Sequence, residues 1–393
     1  MTKLLIIIPA FKHGGTNKSL QNMLGFLSDK YEISIFSLSH IGHYKRIFRN
    51  FEILSAHPAL SLIYDDFGKL DFRNESFLES FSKLCKKTYR KVFKIMLGKN
   101  GLDVIQKKAI KRINENKFDV IIAMQEGYTT QFVSKFKTNK IAWVRSDYSE
   151  YQKVIGRDEG DIYKEYNSVI CVSEYTKNIF LEYYPFLKER CFGIHNMIDY
   201  EAIINFSRSN DNIDERFSSD EFTILSIGRL SQVKRFDLIP IVAKELNDDG
   251  FIFRWYIIGG GEEYNNLTKI IKDNKIGSRV ILLGQKNNPY PYIKSSNLVV
   301  VTSYSEACPN VLNEAKILQV PILSTDYGSA YEFISNSFDG VIVSKEDLKH
   351  EIANLIINED RYNRIKNNLK DFKYTNEQII NNITSIIDDL SKM

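Results

Sequence analysis

Short apolar runs recur along the whole chain, at residues 4–9, 32–38, 51–54, 119–124, 140–144, 168–172, 191–194, 223–227, 254–258, 280–283, 298–301, 321–325 and 340–343. Most are near-continuous strings of Ile, Leu and Val, the pattern of parallel strands covered on both faces. Between them lie segments with helical spacing. Residues 20–27 form one. A second follows the 298–301 run, with Val311, Leu312, Ala315 and Leu318 on one face, and a third has Ile379, Ile380, Ile383, Ile386, Ile387 and Leu390 in register. Strand alternating with helix predicts α/β architecture with parallel sheets. Pro309 is expected in the first turn of the second helix, with Ser303 or Ser305 supplying capping oxygens.

At 393 residues the chain is long enough for two domains, each with its own core. The polar stretch 207–221 has the composition of an exposed linker and sets the expected boundary, giving a first domain at 1–205 and a second at 206–375. The first apolar run is too short to span a bilayer and precedes no small-residue cleavage site, so it reads as a buried strand. The later runs are similarly short. Cys85, Cys171, Cys191 and Cys308 have no metal-ligand spacing and fit reduced thiols in a cytoplasmic protein.

Charge is uneven. Residues 1–200 hold 31 Lys and Arg against 22 Asp and Glu, and the remainder holds 22 against 27. Much of the excess sits in 86–112, with ten basic residues, one acid (Asp103) and interleaved Tyr89, Val92, Phe93, Ile95, Met96 and Leu97. Lys86, Lys87, Arg90, Lys91 and Lys94 mark this patch as a candidate surface for an anionic membrane. A nucleic acid would also use such a patch, but no nucleic-acid-binding motif accompanies it, and a solvated helix face is the plain alternative.

The chemistry gathers at strand ends. Gly14 and Gly15 follow the first strand and open a helix, where backbone N–H groups can approach a phosphate. There is no G-x-G-x-x-G, and Asn17 stands where a Walker motif before Lys18-Ser19 needs glycine. The strand at 223–227 delivers Gly228 and Arg229 to a loop, and Lys234 follows; fork and point charges aimed at one loop suit a diphosphate. Gly259 opens a glycine triplet after the 254–258 strand, and Gly284 follows the 280–283 strand. After 298–301 come Glu306 in a loop and Glu314 about one turn into the helix. No residue set reads as a metal triad or a Ser/His/Asp nucleophile.

Glu306 and Glu314, with Pro309, Asn310, Val311, Leu312 and Ala315, resemble the E-x7-E motif of the retaining glycosyltransferases of family 4. Gly228, Arg229, Leu230 and Lys234 are similar to that family's G-R-L-x-x-x-K pattern, Gly14 and Gly15 to its glycine pair, and residues 196–199 to its N-x-I-D signature. The resemblance implies the GT-B fold, two Rossmann-like doubly wound domains facing across a cleft, with a final helix (376–393) crossing back to the first domain. It implies that Glu306 contacts the donor sugar and Glu314, with Asn310 and Val311 beside it, the nucleotide ribose. Arg229 and Lys234 would stabilise the leaving diphosphate, Gly14 and Gly15 would face it, and backbone at Gly228, Gly259 and Gly284 would complete the donor site. Many members carry a histidine where this chain has Arg145, which leaves that role open to a phosphate or anionic-acceptor contact, or to a salt bridge.

The activity implied is metal-independent transfer, with retention, of a sugar from a nucleotide diphosphate sugar, UDP being the family's commonest nucleotide. No cofactor is expected. The acceptor implied is a saccharide hydroxyl, the basic first domain favouring a lipid-linked saccharide at the cytoplasmic membrane surface. Nucleic acid is not an expected partner. Two other classes compete: a GT-B-like partner subunit without catalysis, which the intact Arg229, Lys234, Glu306 and Glu314 disfavour, and a dinucleotide-dependent oxidoreductase, which the missing fingerprint disfavours.

Overall fold

The computed structural model of the chain describes residues 1–11, 15–39, 44–54, 58–64, 77–209, 213–218 and 220–393. They form two compact units, Met1–Met197 with Glu377–Met393, and Ile198–Asn376. In the first unit, strands β1 (Lys3–Ile8), β2 (Glu32–Ser37), β3 (Glu52–Leu54), β4 (Val120–Ala123), β5 (Asn139–Val144), β6 (Ser168–Cys171) and β7 (Cys191–Gly193) lie in the order β3-β2-β1-β4-β5-β6-β7. The second unit has β8 (Phe222–Ile227), β9 (Phe253–Ile258), β10 (Val280–Gly284), β11 (Leu298–Val301), β12 (Ile322–Thr325) and β13 (Val341–Val343) in the order β10-β9-β8-β11-β12-β13. Every pairing between these strands is parallel.

The continuous apolar strings are explained by cover on both faces. In the second unit Leu225, Tyr256, Ile258, Val299, Val301 and Ile322 enter one core, and Ile224, Trp255, Ile257, Leu298, Val300 and Leu323 enter another. Neighbouring residues of one strand point to opposite faces, so two cores demand that nearly every strand position be apolar. Leu4 through Ile8 of β1 are all fully buried for the same reason.

The expected boundary near 205 falls instead at Met197/Ile198. The helix Tyr200–Ser207 packs against the helices Tyr290–Lys294 and Asn310–Ile317, and so belongs to the second unit. The polar stretch after it is not a free linker where it is described. Phe217 packs 4.7 Å from Tyr256 and 5.0 Å from Tyr292, and the Tyr292 hydroxyl accepts from the Asp214 N–H at 2.8 Å. One aromatic anchor outweighs a polar majority because it buries more apolar surface than its neighbours could.

The helix Glu377–Ser391 belongs to the first unit. Its Ile383, Ile387 and Leu390 are buried, Tyr31 donates to Asp388 Oδ1 at 2.8 Å, and Asn139 Nδ2 donates to the Leu390 carbonyl at 2.7 Å. Just before it, Asn376 accepts from the Ile198 N–H at 3.0 Å and donates to the Ile198 carbonyl at 2.8 Å, tying together the points where the chain enters and leaves the second unit.

Candidate functional site

In the second unit the strand order reverses at β8, which has β9 on one side and β11 on the other. The carboxyl ends of strands at such a switch point form a natural ligand crevice. Hydrogen bonds stitch the loops there into one surface. The Gly228 N–H donates to the Ile258 carbonyl at 3.0 Å, Leu230 N–H to Gly260 at 3.0 Å, and Gly259 N–H to Gly284 at 2.9 Å. The three glycine loops expected to line a donor site are therefore contiguous. A Cβ on Gly259 (φ 155°) would lie 1.9 Å from the Gly228 carbonyl oxygen, so this approach requires glycine.

The loop after β8 carries Lys234 at the end of a short turn, Gln232–Lys234. Thr302, just past β11, donates to the Lys234 carbonyl at 2.8 Å, and the Tyr304 N–H donates to the Val233 carbonyl at 2.7 Å, so the two loops are locked together. Across this seam the Lys234 ammonium donates to Glu306 Oε1. The same oxygen accepts from the Ser303 hydroxyl at 2.6 Å, and the Glu306 carbonyl accepts from the Ser329 hydroxyl at 2.7 Å. Nearby, burial pushes the Tyr327 hydroxyl far above its ordinary value, and the Glu306 carboxylate adds to that rise, so Tyr327 stays neutral beside it.

Arg229 and Lys234 have different partners. Arg229 is largely exposed and pairs with Glu262 Oε2 through Nε at 3.3 Å and Nη2 at 3.1 Å. Glu314 sits in the helix Asn310–Ile317, with the Tyr290 hydroxyl 3.3 Å from its Oε1. Pro309 is not inside that helix but is its N-cap residue, with ψ 88°. Pro309 supplies no side-chain cap, and the Ser303 hydroxyl, expected as a capping oxygen, turns instead to Glu306. Asn310 and Val311 occupy the first turn, both half-buried.

In the first unit Gly14 lies outside the described residues, while Gly15 opens the helix Gly15–Leu27, where an added Cβ would meet nothing within 4 Å. Arg145 follows β5 and turns inward. Its Nε donates to the Met124 carbonyl at 2.9 Å and its Nη1 to Asn196 Oδ1 at 3.0 Å, with the guanidinium 5.2 Å from the Trp143 ring. Asn196 Oδ1 also accepts from Ser19 at 2.7 Å, and Glu126 accepts from the Arg145 N–H at 2.8 Å and from the Ser146 hydroxyl. These contacts make Arg145 a brace joining the ends of β4, β5 and β7.

Sequence reasoning missed Ser303, Ser329, Thr302 and Glu262 as partners of the charged residues. The only signal for the two serines and the threonine is their clustering with Glu306 after β11 and after β12; Glu262 was visible as the acid after the glycine triplet.

Residues 207–372, most of the second unit, match the family model described as glycosyl transferases group 1. The second unit is a glycosyl transferases group 1 domain. An uncharacterized glycosyltransferase of Methanocaldococcus jannaschii is 27% identical over 238 residues, 56% of this chain and 58% of that protein. The chain thus spans about three-fifths of that relative's length. A Campylobacter jejuni relative, N-acetylgalactosamine-N,N'-diacetylbacillosaminyl-diphospho-undecaprenol 4-alpha-N-acetylgalactosaminyltransferase, is 22% identical over 88% of this chain and 87% of its own. Among solved structures, Anabaena HepE in complex with UDP and glucose superposes with a TM-score of 0.77 at 15% identity, covering 99% of this chain and 100% of that one. The fold is GT-B, two Rossmann-like units in one chain, with the group 1 domain contributing the second.

Proposed function

We propose that this chain is a glycosyltransferase that moves a sugar from a nucleotide diphosphate sugar, UDP first among the nucleotides, to a hydroxyl of a lipid-linked saccharide, with retention of configuration. The observation that carries the reading is the Lys234–Glu306–Ser303 cluster, locked at the switch point of a glycosyl transferases group 1 domain. An ammonium has three donors, so Lys234 can keep its bond to Glu306 and still meet a phosphate oxygen. Arg229 at the exposed rim supplies a second cation, and its Nη1 is not used on Glu262. The backbone at Gly228, Gly259 and Gly284 is drawn together, with open space beside Gly284 for a nucleotide, and in this reading Glu306 would contact the donor sugar and Glu314 the ribose.

In this reading, charge developing on the departing diphosphate is met by fixed cations and N–H dipoles, which act without reorganising. No metal is required. UDP is supported by its presence in the Anabaena HepE complex, and the lipid-linked acceptor by the diphospho-undecaprenol in the name of the Campylobacter relative. No helix among the described residues is long and apolar enough to cross a membrane. In this reading the acceptor would be met at the cytoplasmic surface of the membrane.

The test is thermal stabilisation by a panel of nucleoside diphosphates and nucleotide sugars, with and without EDTA. A ligand at 100 times its Kd adds roughly 2.7 kcal/mol of stability. UDP or a UDP-sugar is expected to stabilise the wild type regardless of EDTA, and the Arg229→Ala/Lys234→Ala variant to lose the response. If no nucleotide stabilises the protein, the reading falls. If stabilisation needs a divalent metal, the metal-free part falls. The anomeric configuration of the first-formed product, followed by NMR, decides retention.

A further inference from the structure

The helix Phe77–Asn114 is broken at Gly98 (φ 58°, ψ −175°) into two arms. Beyond the break, Ile105, Ala109 and Ile110 pack on the first unit's core and Ile113 is buried there. Before it the apolar residues fare differently. Tyr89, Val92 and Met96, at spacing i, i+3, i+7, are 59%, 43% and 82% exposed, and Ile95 is 70% exposed. Helical spacing of this kind normally marks a core-facing stripe. Here it faces outward, and its most exposed members, Ile95 and Met96, lie in the last turn before the elbow. Lys86 and Lys91 are exposed beside the stripe, with Lys87 and Arg90 half-exposed; the Lys94 side chain lies outside those described. Residues 80–102 contain seven Lys and Arg and no Asp or Glu.

We propose that this elbow docks on an anionic phospholipid bilayer, with Ile95 and Met96 entering the acyl boundary, Tyr89 and Val92 at the interface, and the flanking lysines and arginine against phosphate headgroups. A bilayer offers both phases the elbow needs, in the same layered order: negative charge outside and an apolar phase just beneath. A nucleic acid would match the charge but provides no aliphatic phase for Ile95 and Met96. The inference deepens the lipid-linked-acceptor reading, since it names the surface on which such an acceptor resides, yet it depends on no step of the transfer.

The experiment is flotation of the full-length protein with phosphatidylcholine vesicles, with and without phosphatidylglycerol. Binding is expected only to the anionic vesicles and to weaken with added salt. Each basic residue removed should weaken it about fivefold, so Lys86→Gln/Lys91→Gln should lose roughly 25-fold. Ile95→Asp/Met96→Asp should lose roughly tenfold or more per side chain, with an unchanged melting temperature because both residues are exposed. A Met96→Trp variant should show a blue shift of its fluorescence on anionic vesicles. Lys234→Ala should lose nucleotide binding and keep vesicle binding, which separates failure of this inference from failure of the transferase reading. The inference is overturned if the wild type ignores anionic vesicles, if the Ile95/Met96 variant binds them as tightly as wild type, or if the emission of the Met96→Trp variant does not move when they are added. Displacement of the protein from vesicles by single-stranded RNA at lower concentration than soluble phosphatidylglycerol headgroup would replace it with a nucleic-acid surface.

Discussion

Replacing Lys234 by Met separates two roles that the side chain combines. Its ammonium partners Glu306, and the pair is largely shielded, with side-chain exposures of 26% and 12%. An exposed ion pair contributes about 0–1 kcal/mol, whereas removing one member of a fully buried pair costs about 3–5 kcal/mol. The intermediate burial places Lys234→Met near about 2 kcal/mol, since among the described residues Glu306 would retain only the Ser303 hydroxyl at 2.6 Å from Oε1. For a domain of this size that is a fall of roughly 4–8 °C in melting temperature. Adding Glu306→Gln removes the stranded charge while keeping a partner for Ser303, so the double variant should regain at least about 1 kcal/mol. Nucleotide affinity should not follow. Loss of one charge-assisted bond to a diphosphate costs about 1.5–3 kcal/mol, about 10- to 150-fold in Kd, in the single and the double variant alike. Thermal melts give the first quantity and calorimetric titration with UDP the second. Recovery of UDP affinity in the double variant would show that Lys234 serves only to neutralise Glu306, and would refute its assignment to the diphosphate.

Two further outcomes are expected. Gly259→Ala should destabilise the second unit by about 2 kcal/mol or more, because its Cβ would meet the Gly228 carbonyl at 1.9 Å, whereas Gly284→Ala (φ 71°, open space) should cost only the roughly 1–2 kcal/mol of its left-handed backbone; equal melting temperatures for the two variants would contradict the close approach of the loops. In the first unit, burial raises the Glu159 carboxyl above its ordinary 4.5, against the opposing effect of Arg157, whose Nη2 lies 3.0 Å from Oε1. A raised carboxyl binds its proton more tightly folded than unfolded, so it favours the folded state in acid, and that contribution is lost as pH rises from the ordinary value through the folded one. Glu159→Gln should therefore flatten the decline of melting temperature over that window and raise it at neutral pH, and an unchanged pH profile would place the ionised carboxylate at ease in its Tyr148, Tyr151 and Arg157 surroundings.

The alternation of strand and helix is legible from residue order alone. Strands covered on both faces must be almost wholly apolar, and such strings, from residues 4–9 to 340–343, stand out without any knowledge of their neighbours. Residue order also marked Gly228, Arg229, Lys234, Glu306 and Glu314, because charged and glycine residues immediately after such strings fall at the carboxyl ends of parallel strands. Partnership was decided only by tertiary structure. Nothing in residues 229–306 says that Lys234 meets Glu306 while Arg229 meets Glu262, since that choice depends on β8 lying between β9 and β11. In sequence Arg145 is open to a phosphate or anionic-acceptor contact or to a salt bridge, and it becomes a brace only when Asn196 and Met124 are carried beside it by separate strands. The domain boundary moved to Met197/Ile198 because the Tyr200–Ser207 helix and Phe217 find apolar surface on the second unit, which a count of polar residues cannot register. Periodicity likewise could not separate the two arms of Phe77–Asn114, which share one amphipathic pattern: one stripe meets a core while Tyr89, Val92, Ile95 and Met96 of the other are left exposed, and burial is a property of what the fold places opposite a side chain.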